Sequence, residues 1–143
     1  MNPTNTMSTE AYMHTAVLFL VADVMWIHKN RIFYNSVVRD IQKSDIDIRL
    51  YPALFAYACM VIGLVQFSLP RMKPSYQTDF DCAKDCLYNG GLLGFVIYGV
   101  YNGTNSAIFT HWNDTVFLYD LAWGTFVYTL GCFIFTKVGS DKT

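Results

Sequence analysis

Four long apolar segments divide the chain, at residues 11–27, 51–69, 87–109 and 115–135, and none contains a lysine or an arginine. A hydrocarbon core of about 30 Å needs roughly 20 apolar residues in a helix, so the last three segments are long enough and the first nearly so. The segments contain two carboxylates, Asp23 and Asp120. The pattern therefore predicts four α-helices that cross a membrane.

The composition supports this prediction. The chain has 143 residues, of which 53% are hydrophobic and 15% charged, whereas soluble domains carry about a quarter charged residues. A soluble bundle is the alternative, but the remaining residues are too few to cover four such helices. Residues 1–10 contain no basic residue and no cleavage site of small residues follows the first apolar segment, so we interpret that segment as a retained helix and not as a signal peptide.

The connecting segments are polar, and the one between the first two helices is the most charged. In residues 29–49, Ile32, Phe33, Val37 and Ile41 recur at helical spacing, which indicates a short amphipathic helix on the membrane surface. An ordinary solvated connector is the other interpretation. We thus expect an all-α fold, an integral membrane four-helix bundle with an amphipathic interfacial helix between helices 1 and 2. The single domain, residues 1–143, divides into a polar tail (1–10), TM1 (11–28), the basic loop (29–49), TM2 (51–69), a polar loop (70–86), TM3 (87–109), TM4 (115–135) and a second polar tail (136–143).

The distribution of lysine and arginine does not decide the orientation, since each side of the predicted bundle carries five. The first tail has no positive charge, which favours an external N-terminus and a cytoplasmic first loop. The net charge of −1 gives no indication of nucleic-acid binding. The expected partners are the lipid bilayer and other proteins that contact the tails and residues 29–49, with an oligomer as a further option.

Polar residues inside the predicted helices are the main candidates for a site, because intramembrane carboxylates are costly. Asp23 lies near the end of helix 1, Asp120 near the start of helix 4, and several polar residues lie near the end of helix 3. All of these positions fall at one depth, close to the membrane face that the first loop occupies. The predicted intramembrane polar cluster comprises Asp23, Tyr98, Asn102, Thr104, Asn105 and Asp120.

Two interpretations of this cluster stay open. The first is a hydrogen-bonded group that fixes the helix order without chemistry. The second is a cavity that binds an ion, a proton or a small solute, lined by Asp23, Asn102, Asn105 and Asp120. Aromatic and histidine side chains are expected near the same interface: Trp26, His28, His111, Trp112 and Trp123. Arg49 is a candidate counter-ion. No nucleophile motif or phosphate loop accompanies the carboxylates, so we predict that the protein is not an enzyme.

Helix packing and metal binding leave weaker signals. Gly90 and Gly94, and then Gly99 and Gly103, form two pairs of small residues that allow a neighbouring helix to approach closely. Cys82 and Cys86 are spaced by four, but two thiols without a second pair are weak evidence for a metal, so we expect free thiols or a local disulfide. We predict no metal and no cofactor.

These segments carry a resemblance to a known family. The sequences ADVMWI (22–27), YPALFAYACMVIG (51–63), GLLGFVIYGVYNGTN (91–105) and YDLAWG (119–124) resemble a family of small four-helix membrane proteins that is known mainly from bacteria and has no assigned function. The similarity extends from Ala11 to about Phe135. The family usually has an aspartate at the position of Asn102, and this difference weakens the proton- or cation-handling interpretation and favours the structural one.

The resemblance also implies a biological setting. The family has members in large DNA viruses of algae, and the polar N-terminus and the Asn-, Thr- and Tyr-rich composition fit such a member. The expected function is then structural: a minor capsid protein, embedded in the internal membrane of the virion, that links the capsid to this membrane. A small ion, proton or solute carrier is the alternative.

Overall fold

A computed structural model describes residues 7–140, and this part of the chain is helical with no β-strand. The helices are α1 (Thr9–Lys29), α2 (Arg31–Gln42), α3 (Leu50–Gly63), α4 (Asp79–Cys86), α5 (Leu92–Ile108) and α6 (Asp114–Ser140). The outer parts of both predicted polar tails, residues 1–6 and 141–143, lie outside the described residues. The all-α prediction is confirmed.

Helix α1 begins where Ser8 caps it, because the Ser8 hydroxyl accepts a hydrogen bond from the backbone N–H of Ala11 at 3.2 Å. The buried residues of α1 recur every four positions and form one stripe: Ala11, Thr15, Phe19 and Asp23. This stripe faces α6, where Phe19 packs edge-on against Tyr128 with ring centroids 4.8 Å apart. Packing against α6 therefore brings Asp23 into the interior.

Two helices contain π-helical turns, and these turns lie against each other. Helix α3 continues through a π-helical turn (Leu64–Ser68) and a 3₁₀ turn (Leu69–Arg71), while a second π-helical turn (Leu87–Gly91) joins α4 to α5. The Ser68 hydroxyl donates to the backbone carbonyl of Asn89 at 2.9 Å. In an α-helical turn each backbone carbonyl accepts a hydrogen bond from within the helix, whereas a π-helical turn can leave a carbonyl free for another donor. Here the Ser68 side chain is that donor.

Helices α5 and α6 form an antiparallel hairpin around close glycine contacts. A Cβ atom at Gly90 would lie 2.6 Å from the Tyr128 carbonyl oxygen, and one at Gly94 would overlap the backbone of Gly124. The predicted pair Gly99 and Gly103 does not act in this way, since added Cβ atoms there would meet only Leu121 at 3.5 Å and nothing within 4 Å, respectively. Of these four predicted positions, close packing therefore requires glycine only at Gly90 and Gly94, which lie at the end of the hairpin away from the loop that connects α5 to α6.

Three helices are long and apolar enough to cross a membrane: Thr9–Lys29, Leu50–Arg71 and Asp114–Gly139. The segment that contains α5 is not among them, because glycine, asparagine and tyrosine lower its hydropathy. Its boundaries also differ from the prediction. Helix begins at Asp79, capped by the Thr78 hydroxyl, which accepts from the backbone N–H of Asp81. Residues 79–86, which we had expected in a loop, therefore extend the third long helix.

The amphipathic segment forms helix α2, which ends at Gln42. The next residue, Lys43, has a left-handed backbone conformation with φ 60° and terminates the helix. Val37 is buried against the bundle, whereas Ile32 points away and is 81% exposed. Helix α2 follows α1 after a single residue, Asn30, so it lies beside the end of the bundle where Asp23 and Asp120 are found.

Candidate functional site

Asp23 of α1 is buried, with 3% of its surface exposed, and it accepts hydrogen bonds from two other helices. The Tyr98 hydroxyl of α5 donates to Asp23 Oδ1 at 2.7 Å, and the Trp123 indole Nε1 of α6 donates to the same oxygen at 2.8 Å. Tyr57 of α3 faces the same carboxylate and interacts with it electrostatically. One carboxylate on α1 therefore contacts all three of the other long helical segments.

Asp120 of α6 is also buried, at 6% exposure, and its two oxygens bind different helices. The Tyr34 hydroxyl of α2 donates to Oδ1, and the Asn102 amide Nδ2 of α5 donates to Oδ2 at 3.2 Å. The same Asn102 amide donates to the Tyr98 carbonyl oxygen at 3.0 Å, one turn back along its own helix. Asp120 thus holds helices α2 and α5 on α6.

Tryptophan side chains surround the two carboxylates. The Trp26 indole donates to the Tyr34 hydroxyl at 3.0 Å and stacks on Trp123, with centroids 4.4 Å apart and planes inclined by 4°. The Trp112 indole donates to Asn102 Oδ1 at 3.2 Å. We name the connected set the carboxylate network: Asp23, Trp26, Tyr34, Tyr98, Asn102, Trp112, Asp120 and Trp123.

Every donor to the two carboxylates is neutral. Within residues 7–140 the ion pairs are Arg39–Asp45, Lys73–Asp85 and Lys137–Asp79. None of these pairs involves Asp23 or Asp120. The two carboxylates interact electrostatically with each other. Burial and the hydrogen bond to Asp120 raise the pKa of Tyr34, so this hydroxyl keeps its proton and remains a donor.

Several predicted site residues do not join the network. Thr104 is exposed and its hydroxyl donates to Val100 O at 2.7 Å within its own helix, and the Asn105 side chain hydrogen-bonds Tyr101. His28 and His111 are exposed near the same end of the bundle. Arg49 is exposed as well, and none of the ion pairs in the described part of the chain includes it. Thr104 and Asn105 thus make their hydrogen bonds within α5 and not to the carboxylates.

Tyr34 and Tyr57 were not predicted as members of the site. A signal for Tyr34 existed, since it lies three and seven residues before Val37 and Ile41 and therefore shares the inward face of α2 with them. Tyr57 had no such signal, because aromatic residues occur on all sides of α3. Trp26, Trp112 and Trp123 were expected as residues at the lipid interface, but their indole N–H groups point inward to the network.

The network has the composition of a group that links helices through hydrogen bonds. No three histidine, cysteine, aspartate or glutamate side chains of residues 7–140 come together in a way that suits a metal ion. Two carboxylates that accept from hydroxyl, indole and amide groups connect α1, α2, α5 and α6, and the ion pairs of residues 7–140 include neither of them. In lipid, polar contacts of this kind contribute about 0.6 kcal/mol each on average and up to about 1.7 kcal/mol.

Comparison with known proteins identifies a family but no characterised relative. A family model described as predicted membrane protein (DUF2177) matches residues 8–136. No curated protein and no solved structure matches the chain. The match does not bear on a viral origin, which stays a prediction. It covers helices α1 to α5, helix α6 as far as residue 136, and every residue of the carboxylate network. The chain therefore belongs to the DUF2177 family of predicted membrane proteins.

Proposed function

We propose that this protein is a non-enzymatic, multi-pass membrane protein whose carboxylate network fixes the helix bundle and holds α2 at the membrane surface as a docking element. The observation that carries this proposal is the hydrogen bond from Tyr34 of α2 to Asp120 of α6. It joins an amphipathic surface helix to the interior of the bundle. The surrounding donors leave the carboxylates engaged with neighbouring helices, as expected for a structural group.

The proposal includes four membrane crossings, with residues 87–109 as the fourth. This segment is too polar to qualify by hydropathy, yet it packs along α6 through Gly90 and Gly94 and donates Tyr98 and Asn102 to carboxylates on α1 and α6. A helix that satisfies its polar groups inside a bundle needs less apolar surface than one that faces lipid. Only a short loop, residues 109–113, separates it from α6, so both helices occupy the same depth.

Helix α2 and the segment after it supply the docking surface. Ile48, Leu50 and Tyr51 are largely exposed, and basic residues of the same region are exposed beside them. Apolar side chains next to basic ones suit the interface between lipid and water. We place α2 in that interface, where the loop 43–49 is available to a protein partner. An anchoring role, including the link between a capsid and an internal membrane, requires such a partner.

The test combines stability with flux in purified, reconstituted protein. Asp23→Ala and Asp120→Ala each leave two donors without an acceptor, so each variant should unfold more easily in detergent, by on the order of 1–3 kcal/mol. Asp47→Ala is the matched control, because Asp47 is exposed in the loop after α2. Liposomes with the parent protein should show no proton or cation flux. Variants as stable as the parent would contradict the proposal.

A small ion, proton or solute carrier is the second candidate. Asp23 and Asp120 are buried and belong to none of the ion pairs between residues 7 and 140, which favours this candidate, because a proton or a metal ion can provide a positive charge there. Proton or cation uptake by liposomes that contain the parent protein, lost in Asp23→Asn, would support this candidate and overturn the structural one.

A further inference from the structure

Three sulfur atoms from two separate segments meet at the opposite end of the bundle from the carboxylate network. Cys82 and Cys86 lie on α4, and Met72 directly follows the 3₁₀ turn that ends the second long helix. The two thiol sulfurs are 4.0 Å apart, and Cys86 Sγ is 3.9 Å from Met72 Sδ. All three side chains are buried. We name this set the sulfur cluster.

We propose that the sulfur cluster of Met72, Cys82 and Cys86 binds a soft monovalent metal ion, Cu(I), through two thiolates and one thioether. The spacing is the first reason. Metal–sulfur bonds of about 2.3 Å arranged in a trigonal plane place neighbouring sulfurs about 4.0 Å apart, which agrees with both distances in the cluster. Cys86 therefore already stands at the required distance from both of the other ligands.

The ligand chemistry is the second reason for Cu(I). Thiolate and thioether ligands select soft ions, whereas Mg²⁺, Ca²⁺ and Mn²⁺ prefer oxygen ligands. The carboxylates nearest the cluster are held by lysines: Asp85 pairs with Lys73 at 3.4 Å, and Asp79 pairs with Lys137 at 2.7 Å. These ion pairs leave the three sulfurs, with the neutral hydroxyls of Thr136 and Tyr76 beside them, as the donors at the cluster. The two cysteines alone were weak evidence for a metal in the sequence. The third proposed ligand is a methionine, a residue type that common metal-binding motifs do not include.

A cavity next to the cluster gives an ion a way in. Its volume is about 300 Å³, and its lining includes Cys82, Tyr76, Thr136 and Lys137. Thr136 Oγ1 lies 3.3 Å from Cys82 Sγ, and the Tyr76 hydroxyl lies 3.9 Å from Met72 Sδ. The cavity opens at the membrane face opposite α2. On binding, Cu(I) forms three bonds to sulfur, the two thiols release their protons to water through this cavity, and no atom changes its oxidation state.

The binding experiment uses the full chain, purified in detergent and kept reduced and free of oxygen. Cu(I) is supplied as its complex with the chromophoric chelator bicinchoninate. We expect one Cu(I) per chain, a thiolate-to-copper charge-transfer band in the ultraviolet, and X-ray absorption that shows three sulfur neighbours. Failure to remove Cu(I) from the chelator, or tighter binding of Zn(II) than of Cu(I), would overturn the proposal.

Variants identify the ligands. Cys86→Ser should abolish binding, and Met72→Leu, which keeps the side-chain volume, should weaken it at least tenfold and reduce the sulfur neighbours from three to two. Cys59→Ser and Met13→Leu change exposed residues and are the matched controls. Unchanged affinity in Met72→Leu, with thermal unfolding like that of the parent, would show that the thioether is not a ligand. Loss of binding in Cys132→Ser would overturn this ligand set in favour of one that includes the third buried thiol.

Discussion

Tyr34 and Asp120 are separated by 86 positions in sequence and joined by one hydrogen bond, from the Tyr34 hydroxyl to Asp120 Oδ1. Tyr34 belongs to the amphipathic helix α2, which follows α1, and Asp120 lies on α6. This contact gives α2 a fixed position relative to the bundle. Helix α2 is also held by the edge-on contact of Phe33 with Tyr119 of α6, with ring centroids 6.3 Å apart, by the hydrogen bond from the Trp26 indole to Tyr34, and by the buried side chain of Val37.

Tyr34→Phe should loosen α2 while the membrane helices stay folded. The substitution removes the donor to Asp120 and the acceptor for the Trp26 indole, but it keeps the ring. We expect faster amide hydrogen exchange across residues 31–42, and no change within α6. Tyr51→Phe is the control, because Tyr51 is 86% exposed. Equal exchange in both variants would show that the Tyr34 hydroxyl does not hold α2.

Asp23 should be replaceable by asparagine at a smaller cost than by alanine. Asparagine keeps an oxygen that accepts from Tyr98 or Trp123, whereas alanine leaves both donors buried and unpaired. We expect Asp23→Ala to lower the free energy of unfolding by about 1–3 kcal/mol, and Asp23→Asn by less than half of that. Unfolding in mixed micelles, followed by the fluorescence of Trp123 and its neighbours, measures both values. Equal losses would mean that Asp23 acts by its charge and not as an acceptor.

Gly94→Ala should destabilise the hairpin of α5 and α6, and Gly103→Ala should not. A methyl group at Gly94 overlaps the backbone of Gly124, whereas one at Gly103 meets no atom within 4 Å. Overpacking of this kind costs about 1–3 kcal/mol. Both substitutions add a methyl group to the same helix, so their helix propensities cancel in the comparison. Thermal unfolding in detergent checks the difference, and equal stability of the two variants would rule out the close α5–α6 contact.

Acid should weaken the contact between α4 and α6. Lys137 holds the pKa of Asp79 below its ordinary value through a hydrogen bond and its positive charge. A lowered pKa in the folded state contributes stability that is complete above the ordinary pKa of about 3.9 and is lost as the pH falls through the folded-state value. Asp79→Asn should remove this acid-dependent part and change little at neutral pH, because the pair is exposed. Thermal unfolding of both proteins over a series of pH values tests this prediction. The same loss of unfolding temperature at acidic pH in both proteins would contradict it.

The sequence predicts much of the fold because apolar segments and helix caps are local signals. The all-α class, the helix in residues 29–49 and the convergence of Asp23, Tyr98, Asn102 and Asp120 follow from spacing and depth. The roles of single residues do not follow in the same way. Thr104 and Asn105 are polar and lie at the expected depth, but their side chains hydrogen-bond residues of their own helix. The rotation of each helix about its axis, which decides such cases, depends on packing.

Long-range partners are the other part that sequence alone does not reveal. The approach of Gly124 to Gly94 and the contact of Cys86 with Met72 join segments whose spacing carries no periodic signal. In the same way, the hydropathy of residues 87–109 does not show that neighbouring helices satisfy its polar side chains. The segment meets the length of a membrane helix but not its usual apolar content.

A double-mutant cycle on Tyr34 and Asp120 tests the central claim most directly, namely that the carboxylate network couples the surface helix to the membrane bundle. The free energy of unfolding is measured in bicelles for the parent, Tyr34→Phe, Asp120→Ala and the double variant. We predict a coupling energy of about 1 kcal/mol, within the range of polar contacts between membrane helices. Additive effects, with a coupling energy below about 0.3 kcal/mol, would contradict the claim.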